Sequence, residues 1–279
     1  MHEAPTPEPI MARAATENFS VASRLLPPRL RRHLLAIYGF ARLVDQLGDD
    51  QPGDRLAALD WLEEELRRAY SGQAEHPLMQ ALEPTIAECA LPREPFERLI
   101  EANRMDQRVS SYATWAELIG YCHLSADPVG ELVLHVFGAA TAERIALSDD
   151  VCTALQLTEH WQDVREDLAR ARVYIPLEDL ARQGCTIDDL GAERVSDPLR
   201  RVLAIEAART ALLYRSADAL AASLSGLKRV AIAGYAGGGR AALEAIAIAD
   251  YEVLANDPRP TRRRTVGAIV RVLIRASGG

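Results

Sequence analysis

The sequence is short of several things that mark other classes of protein. It has a single lysine, Lys228, beside many arginines, and only 5% of its 279 residues are aromatic. Its four cysteines, Cys89, Cys122, Cys152 and Cys185, are scattered and form no Cys-x-x-Cys pair. That disfavours zinc and iron–sulfur sites and fits small buried thiols in a reducing compartment. The net charge of -8 lacks the basic surface that a phosphate backbone selects, so no nucleic-acid partner is expected. No apolar run reaches the ~18–20 residues of a membrane-spanning helix. Met1 to Pro9 lacks the basic and apolar regions of a secretory leader, so residues 1–17 are expected to be a flexible arm on a cytoplasmic protein. Gly234-Tyr-Ala-Gly237-Gly-Gly239 does not have the dinucleotide-binding spacing after a strand, and is expected only to break a helix. No nicotinamide is expected.

What is present favours helix. Alanine, leucine and arginine are abundant, and alternating strand patterns are absent. Pro27-Pro28 precedes an apolar stripe from Leu30 to Val44, and Pro52-Gly53 ends it. Asp54 is placed to cap a second helix that Ser71-Gly72 closes. Further helices are expected after His76-Pro77, after Pro92, and from Thr114 to Ile145 with a break at Asp127-Pro128. Asp149-Asp150 is expected to open the next helix. Asp197-Pro198 is expected to start a long one ending near Gly226. Without an internal repeat or a dividing linker, the reading is one all-α domain of about ten helices.

Two stretches carry chemistry. Tyr38, Arg42, Asp45 and Asp49 are spaced four, three and four, and Gln156, Glu159, Asp163 and Asp167 are spaced three, four and four. Each set shares one helix face, where like charges one turn apart repel. Carboxylates in this number suit Mg²⁺, whose remaining ligands are water and substrate phosphate. Asp45, Asp49, Glu159, Asp163 and Asp167 are therefore candidate ligands for roughly two or three ions bound with a diphosphate. Ionisation of an allylic diphosphate follows from that Lewis-acid arrangement. Arg42, one turn before Asp45, suits either an internal salt bridge or the diphosphate. Tyr38 and Phe19 suit either core packing or cation–π stabilisation of a carbocation. His160 is expected to be structural, and His33, His123 and His135 have no ligand spacing.

These residues resemble the squalene/phytoene synthase family, the trans-isoprenyl diphosphate synthases that join or rearrange precursors head to head. Asn18-Phe-Ser20-Val-Ala-Ser23 with Leu25-Leu-Pro27 resembles the family's opening segment. Tyr38 through Asp49 resembles its first aspartate-rich motif, and Tyr112 through Cys122 its middle-helix signature. Gln156 through Asp167 resembles the second aspartate-rich motif, and Arg172-Val-Tyr174-Ile-Pro176 the basic-aromatic segment that follows. The resemblance covers Asn18 to Pro176 well and the remainder faintly. It implies an isoprenoid synthase-type single-domain helical bundle over residues 18–279, around a central cavity. It implies catalytic roles for Asp45, Asp49, Asp163, Asp167 and Tyr38. Arg42, Gln156, Arg172, Tyr174, Phe19 and Ser20 would bind a prenyl diphosphate substrate.

Glu17 to Ser23 and Ser125-Ala-Asp-Pro-Val-Gly130 resemble the bacterial hopanoid-pathway subgroup, which converts presqualene diphosphate to hydroxysqualene. Condensation of two farnesyl diphosphates to presqualene diphosphate or squalene is the alternative, followed by a phytoene-type synthesis. A catalytically silent helper is disfavoured, because all four aspartates remain. Three positions depart from the family pattern: Gln46 follows Asp45 where a second Asp is usual, Glu159 replaces Asn, and Ala171 replaces Gly. Arg259, Arg262, Arg263 and Arg264 suit a solvated tail, anionic lipid, or reach toward the diphosphate. Very apolar substrates and products are compatible with peripheral contact at the inner face of a membrane, and with hand-over between isoprenoid-pathway enzymes.

Overall fold

The computed structural model describes residues 26–278. The arm at 1–17 and the motif residues Phe19 and Ser20 lie outside that range. Among the described residues there are thirteen α-helices and no strand, only an isolated parallel bridge between Ser111 and Val173. The chain packs as two compact units, one made of the residues through Arg108 with Leu124–Ala146, the other of Val109–His123 with Leu147–Gly279.

In the first unit, α1 (Pro28–Asp45) begins at Pro28 with proline's preset φ and ends in a π-helical turn, Gln46–Asp50. α2 (Arg55–Ala69) is capped by the Asp54 carboxylate, which accepts from the Ala57 N–H at 3.0 Å. α3 (Pro77–Cys89), α4 (Glu94–Asp106) and α6 (Asp127–Val136) close the core around α1. Leu34, Phe40 and Leu43 are fully buried there, and Phe40 meets Phe96 edge to face at 4.8 Å.

α5 (Trp115–Ser125) and α7 (Ala142–Gln162) carry the chain between the units. In the second unit come α8 (Val164–Ala169), α9 (Leu177–Arg182), α10 (Asp197–Leu213), α11 (Ser216–Ala222), α12 (Gly226–Ile248) and α13 (Arg262–Arg275). Side-chain hydrogen bonds seat α7 on α10: the Trp161 indole N–H donates to Thr210 Oγ1 at 2.8 Å, and Thr158 Oγ1 meets the Tyr214 hydroxyl at 3.0 Å.

Four expectations are corrected. Asp149-Asp150 does not open a helix. α7 starts at Ala142, where the Thr141 hydroxyl accepts from the Arg144 N–H, and Asp150 instead accepts from the Ser216 hydroxyl. The stretch from Thr114 breaks a second time, at Gly138, whose φ of 59° lies in the left-handed region. The helix from Asp197 stops at Leu213 and restarts at Ser216. Gly237-Gly-Gly239 lies inside the continuous α12, because close packing needs the missing side chains. A Cβ on Gly237 would lie 2.7 Å from the Ile269 backbone of α13, and one on Gly239 would strike the Tyr214 hydroxyl.

Candidate active site

The first acidic motif sits where α1 changes its winding. Tyr38 is buried, and Arg42 lies over its ring, 5.7 Å from the centroid. The same guanidinium donates to Asp45 Oδ2 at 3.1 Å, so it is the internal salt bridge that the spacing allowed. Asp49 falls in the π turn rather than in the α-helix. The turn is wider there, and π turns of this kind recur at functional sites. It is tied from α4: the Gln107 amide donates to the Gly48 carbonyl at 2.9 Å, and the Asn103 carboxamide fills the space where a Gly48 Cβ would be. Desolvation lifts the Asp45 carboxyl to about 6, with Asp49 adding to the rise and Arg42 and an Asn103 hydrogen bond opposing it. The side chain keeps 49% of its surface open, so a cation can reach it.

The second motif spans a helix joint. α7 ends at Gln162 and Asp163 is the residue between α7 and α8, yet the hydrogen bonding runs on, from Asp163 N to Glu159 O at 2.9 Å and from Asp167 N to Asp163 O at 2.8 Å. Glu159 is exposed and Asp163 half-buried. Desolvation raises Asp163 to about 6, and Glu166, Asp167 and Asp257 add to that rise while Arg259 opposes it. Gln162 donates to the Pro258 carbonyl at 2.7 Å and Arg165 to the Leu254 carbonyl at 2.6 Å, which binds the 254–259 segment to this motif. Arg259 pairs with Asp257 at 2.7 Å.

α8 closes in a left-handed C-cap. The Ala171 N–H donates to the Leu168 carbonyl and the Arg172 N–H to the Asp167 carbonyl, both at 2.9 Å. This turn sets Arg172 directly after the motif, and Ala171 holds a φ of 58° in a region that favours glycine. The chain then pairs with the segment before α5: Val173 N donates to Ser110 O at 2.8 Å and Leu177 N to Tyr112 O at 3.0 Å. Tyr174 is thereby buried at the centre of an aromatic cluster with His160, Tyr112 at 5.9 Å and Tyr121 at 5.6 Å.

His160, expected to be structural, is buried in this cluster, and Tyr112 and Tyr121 join it there. His160 Nε2 lies 3.2 Å from the Gln156 amide nitrogen, and Nδ1 lies 3.6 Å from Asp167 Oδ2. Desolvation lowers its pKa, against the raising effect of Asp167, so the ring is neutral. The neighbouring Tyr and Asp spacings were the available signal, but stacking between distant segments is not written in any local pattern.

Among the described residues, no three His, Cys, Asp or Glu side chains alone form a metal cluster. The donor chemistry still suits a hard cation. Asp45 and Asp163 each have a carboxyl raised chiefly by desolvation, and the buried Asp167 Oδ2 lies 3.6 Å from the His160 ring and makes no hydrogen bond.

The squalene/phytoene synthase family model matches residues 12–266. The chain belongs to the squalene/phytoene synthase family. Members process prenyl diphosphates, and this chain is an enzyme of that class with the all-α isoprenoid-synthase fold. A hydroxysqualene synthase from Rhodopseudomonas palustris is 38% identical over 230 residues, covering 79% of this chain and 77% of the relative. One from Sinorhizobium fredii is 36% identical over 208 residues, covering 73% and 70%. The crystal structure of a squalene synthase from Alicyclobacillus acidocaldarius is 47% identical, with a TM-score of 0.82 over 90% of this chain and 93% of that one.

Proposed function

We propose that this family member converts presqualene diphosphate and water to hydroxysqualene and diphosphate. The observation that carries the reading is the similarity to hydroxysqualene synthases over more than 70% of the chain, with Asp45, Asp49, Asp163 and Asp167 all present. Asp45, Asp49, Glu159, Asp163 and Asp167 would hold Mg²⁺, which when bound supplies charge stabilisation to the departing diphosphate. Arg42, Gln156 and Arg172 bind and orient that diphosphate, and Arg42 exchanges its Asp45 partner for phosphate oxygen. Phe19 and Ser20 take part by family resemblance alone. The C–O bond breaks with both electrons leaving on the diphosphate. Tyr38 and Tyr174 would assist the rearranging cation, a role that rests on the family resemblance. A water oxygen then forms the new C–O bond and releases its proton. No electron is gained or lost, so no nicotinamide is required. The protein would act as a peripheral enzyme in contact with a membrane.

The 47% identity to a squalene synthase favours one second reading, condensation of two farnesyl diphosphates. Incubation with Mg²⁺ and either substrate, read by mass spectrometry, separates the two. Hydroxysqualene formed from presqualene diphosphate is expected, and turnover of farnesyl diphosphate alone overturns the assignment. Asp45→Ala and Asp163→Ala should each abolish diphosphate release; full activity in both would remove the metal assignment.

A further inference from the structure

The arginines of α13 divide into two groups. Arg271 pairs with Glu244 at 2.8 Å and Arg275 with Asp218 at 3.4 Å. Arg262, Arg263 and Arg264 are exposed and make no ion pair with any described residue. They also stand in the first turn, the end of a helix where cations are disfavoured by the macrodipole. Local helix stability therefore does not explain them, and the protein as a whole is acidic at -8.

The face that continues from Arg262 is apolar and open. Ala268, Val272 and Ala276 are buried toward the rest of the unit, while Val266, Val270 and Ile274 are 58%, 44% and 65% exposed. These three are four residues apart, so they form one row, and Arg262 is the preceding member of that row. An exposed aliphatic row ending in uncompensated arginines is the pattern of a helix lying in a lipid interface. No helix among the described residues is long and apolar enough to cross a bilayer, so such contact would be superficial.

We propose that α13 is the docking surface for an anionic lipid bilayer, with Val266, Val270 and Ile274 entering the interface and Arg262, Arg263 and Arg264 meeting phosphate headgroups. The proposal rests on the membrane contact proposed above and names the face that makes it. A second copy of the chain is the weaker occupant on charge grounds. α13 contains five arginines and no acidic residue, so pairing two copies through this face brings arginine against arginine in either orientation.

The test is co-sedimentation of the full chain with phosphatidylcholine vesicles, with and without phosphatidylglycerol. Wild-type protein should bind only the anionic vesicles and be released by salt. The variants R262Q/R263Q/R264Q and V266S/V270S/I274S should each weaken binding at least about tenfold. All six side chains are exposed, so circular dichroism should be unchanged. The serine variant should also keep its turnover of detergent-dispersed substrate. Wild-type-like binding by both variants overturns the α13 assignment alone. Failure of the wild type to bind either vesicle removes the membrane contact itself. Equal binding to both vesicles, or a wild-type dimer that the serine variant dissolves, also overturns it.

Discussion

The imidazole of His160 lies flat on the phenol ring of Tyr174, with centroids 3.6 Å apart and planes 15° from parallel. One neutral ring therefore touches the basic-aromatic segment by its face, Gln156 by one nitrogen and Asp167 by the other. His160→Phe keeps the stack and loses both polar contacts. It should fold normally and lose about ten- to a hundredfold in turnover, as supporting residues around ligands do. His160→Ala should lose activity and also ~2 kcal/mol or more of stability, from the cavity beside Tyr174. Wild-type turnover in His160→Phe would make the residue a packing element only.

Ala171 predicts a gain. Its left-handed φ costs an L side chain ~1–2 kcal/mol relative to glycine. Ala171→Gly should raise the unfolding free energy by about 1 kcal/mol, after the larger entropy loss of glycine, and leave activity unchanged. Urea denaturation reads this directly. A destabilised variant would show that the alanine methyl has a packing role.

A buried acidic network predicts a pH dependence of stability. Glu206 and Asp179 are almost wholly buried. Arg209 donates to Glu206 at 3.1 Å and to Asp179 at 2.6 Å while lying 5.1 Å above the Trp115 ring. Burial pushes Glu206 up to about 8, with Asp179 adding to the rise, whereas the arginines hold Asp179 down. The folded state thus keeps a proton that the unfolded chain loses near 4.5, so stability falls as pH rises from about 4.5 to about 8. Glu206→Gln should flatten that slope, matching wild type near pH 5 and exceeding it above pH 8. Thermal melts across that range check it, and an unchanged slope would place the proton elsewhere.

Gly237 predicts the reverse of helix propensity. Alanine in a helix interior is ordinarily worth ~1 kcal/mol over glycine. Here its Cβ would lie 2.7 Å from the Ile269 backbone, so Gly237→Ala should destabilise by ~1–3 kcal/mol. Gly238, with nothing near its Cβ position, should tolerate the same change and serve as the control.

Much of the fold was legible because its signals are local. Asp54 caps the helix it precedes, Pro28 and Pro77 stand in first turns, and a helix does follow Pro92, at Glu94. The acidic spacings were read as if on regular helices, and the winding departs from that at both: Asp49 falls in the π turn and Asp163 in the joint between α7 and α8. The failures are long-range. Gly237 reads as a breaker until α13 lies against it, and Asp149 reads as a start until Thr141 supplies an earlier cap. His160 joins Tyr174 only because Val173 pairs with Ser110 and turns the chain back.

The π turn at Gln46–Asp50 has a consequence for deletion. A π turn is an α-helix holding one surplus residue. Removing Gln46 would let the helix heal into regular winding, with the usual i to i+4 bonds regained. It would also shorten the interval between the two aspartates by one position and remove the wide turn that now sets Asp49 relative to Asp45. The surplus residue that distinguishes this motif from a plain acidic helix is thus held in the chain against the local preference for regular winding.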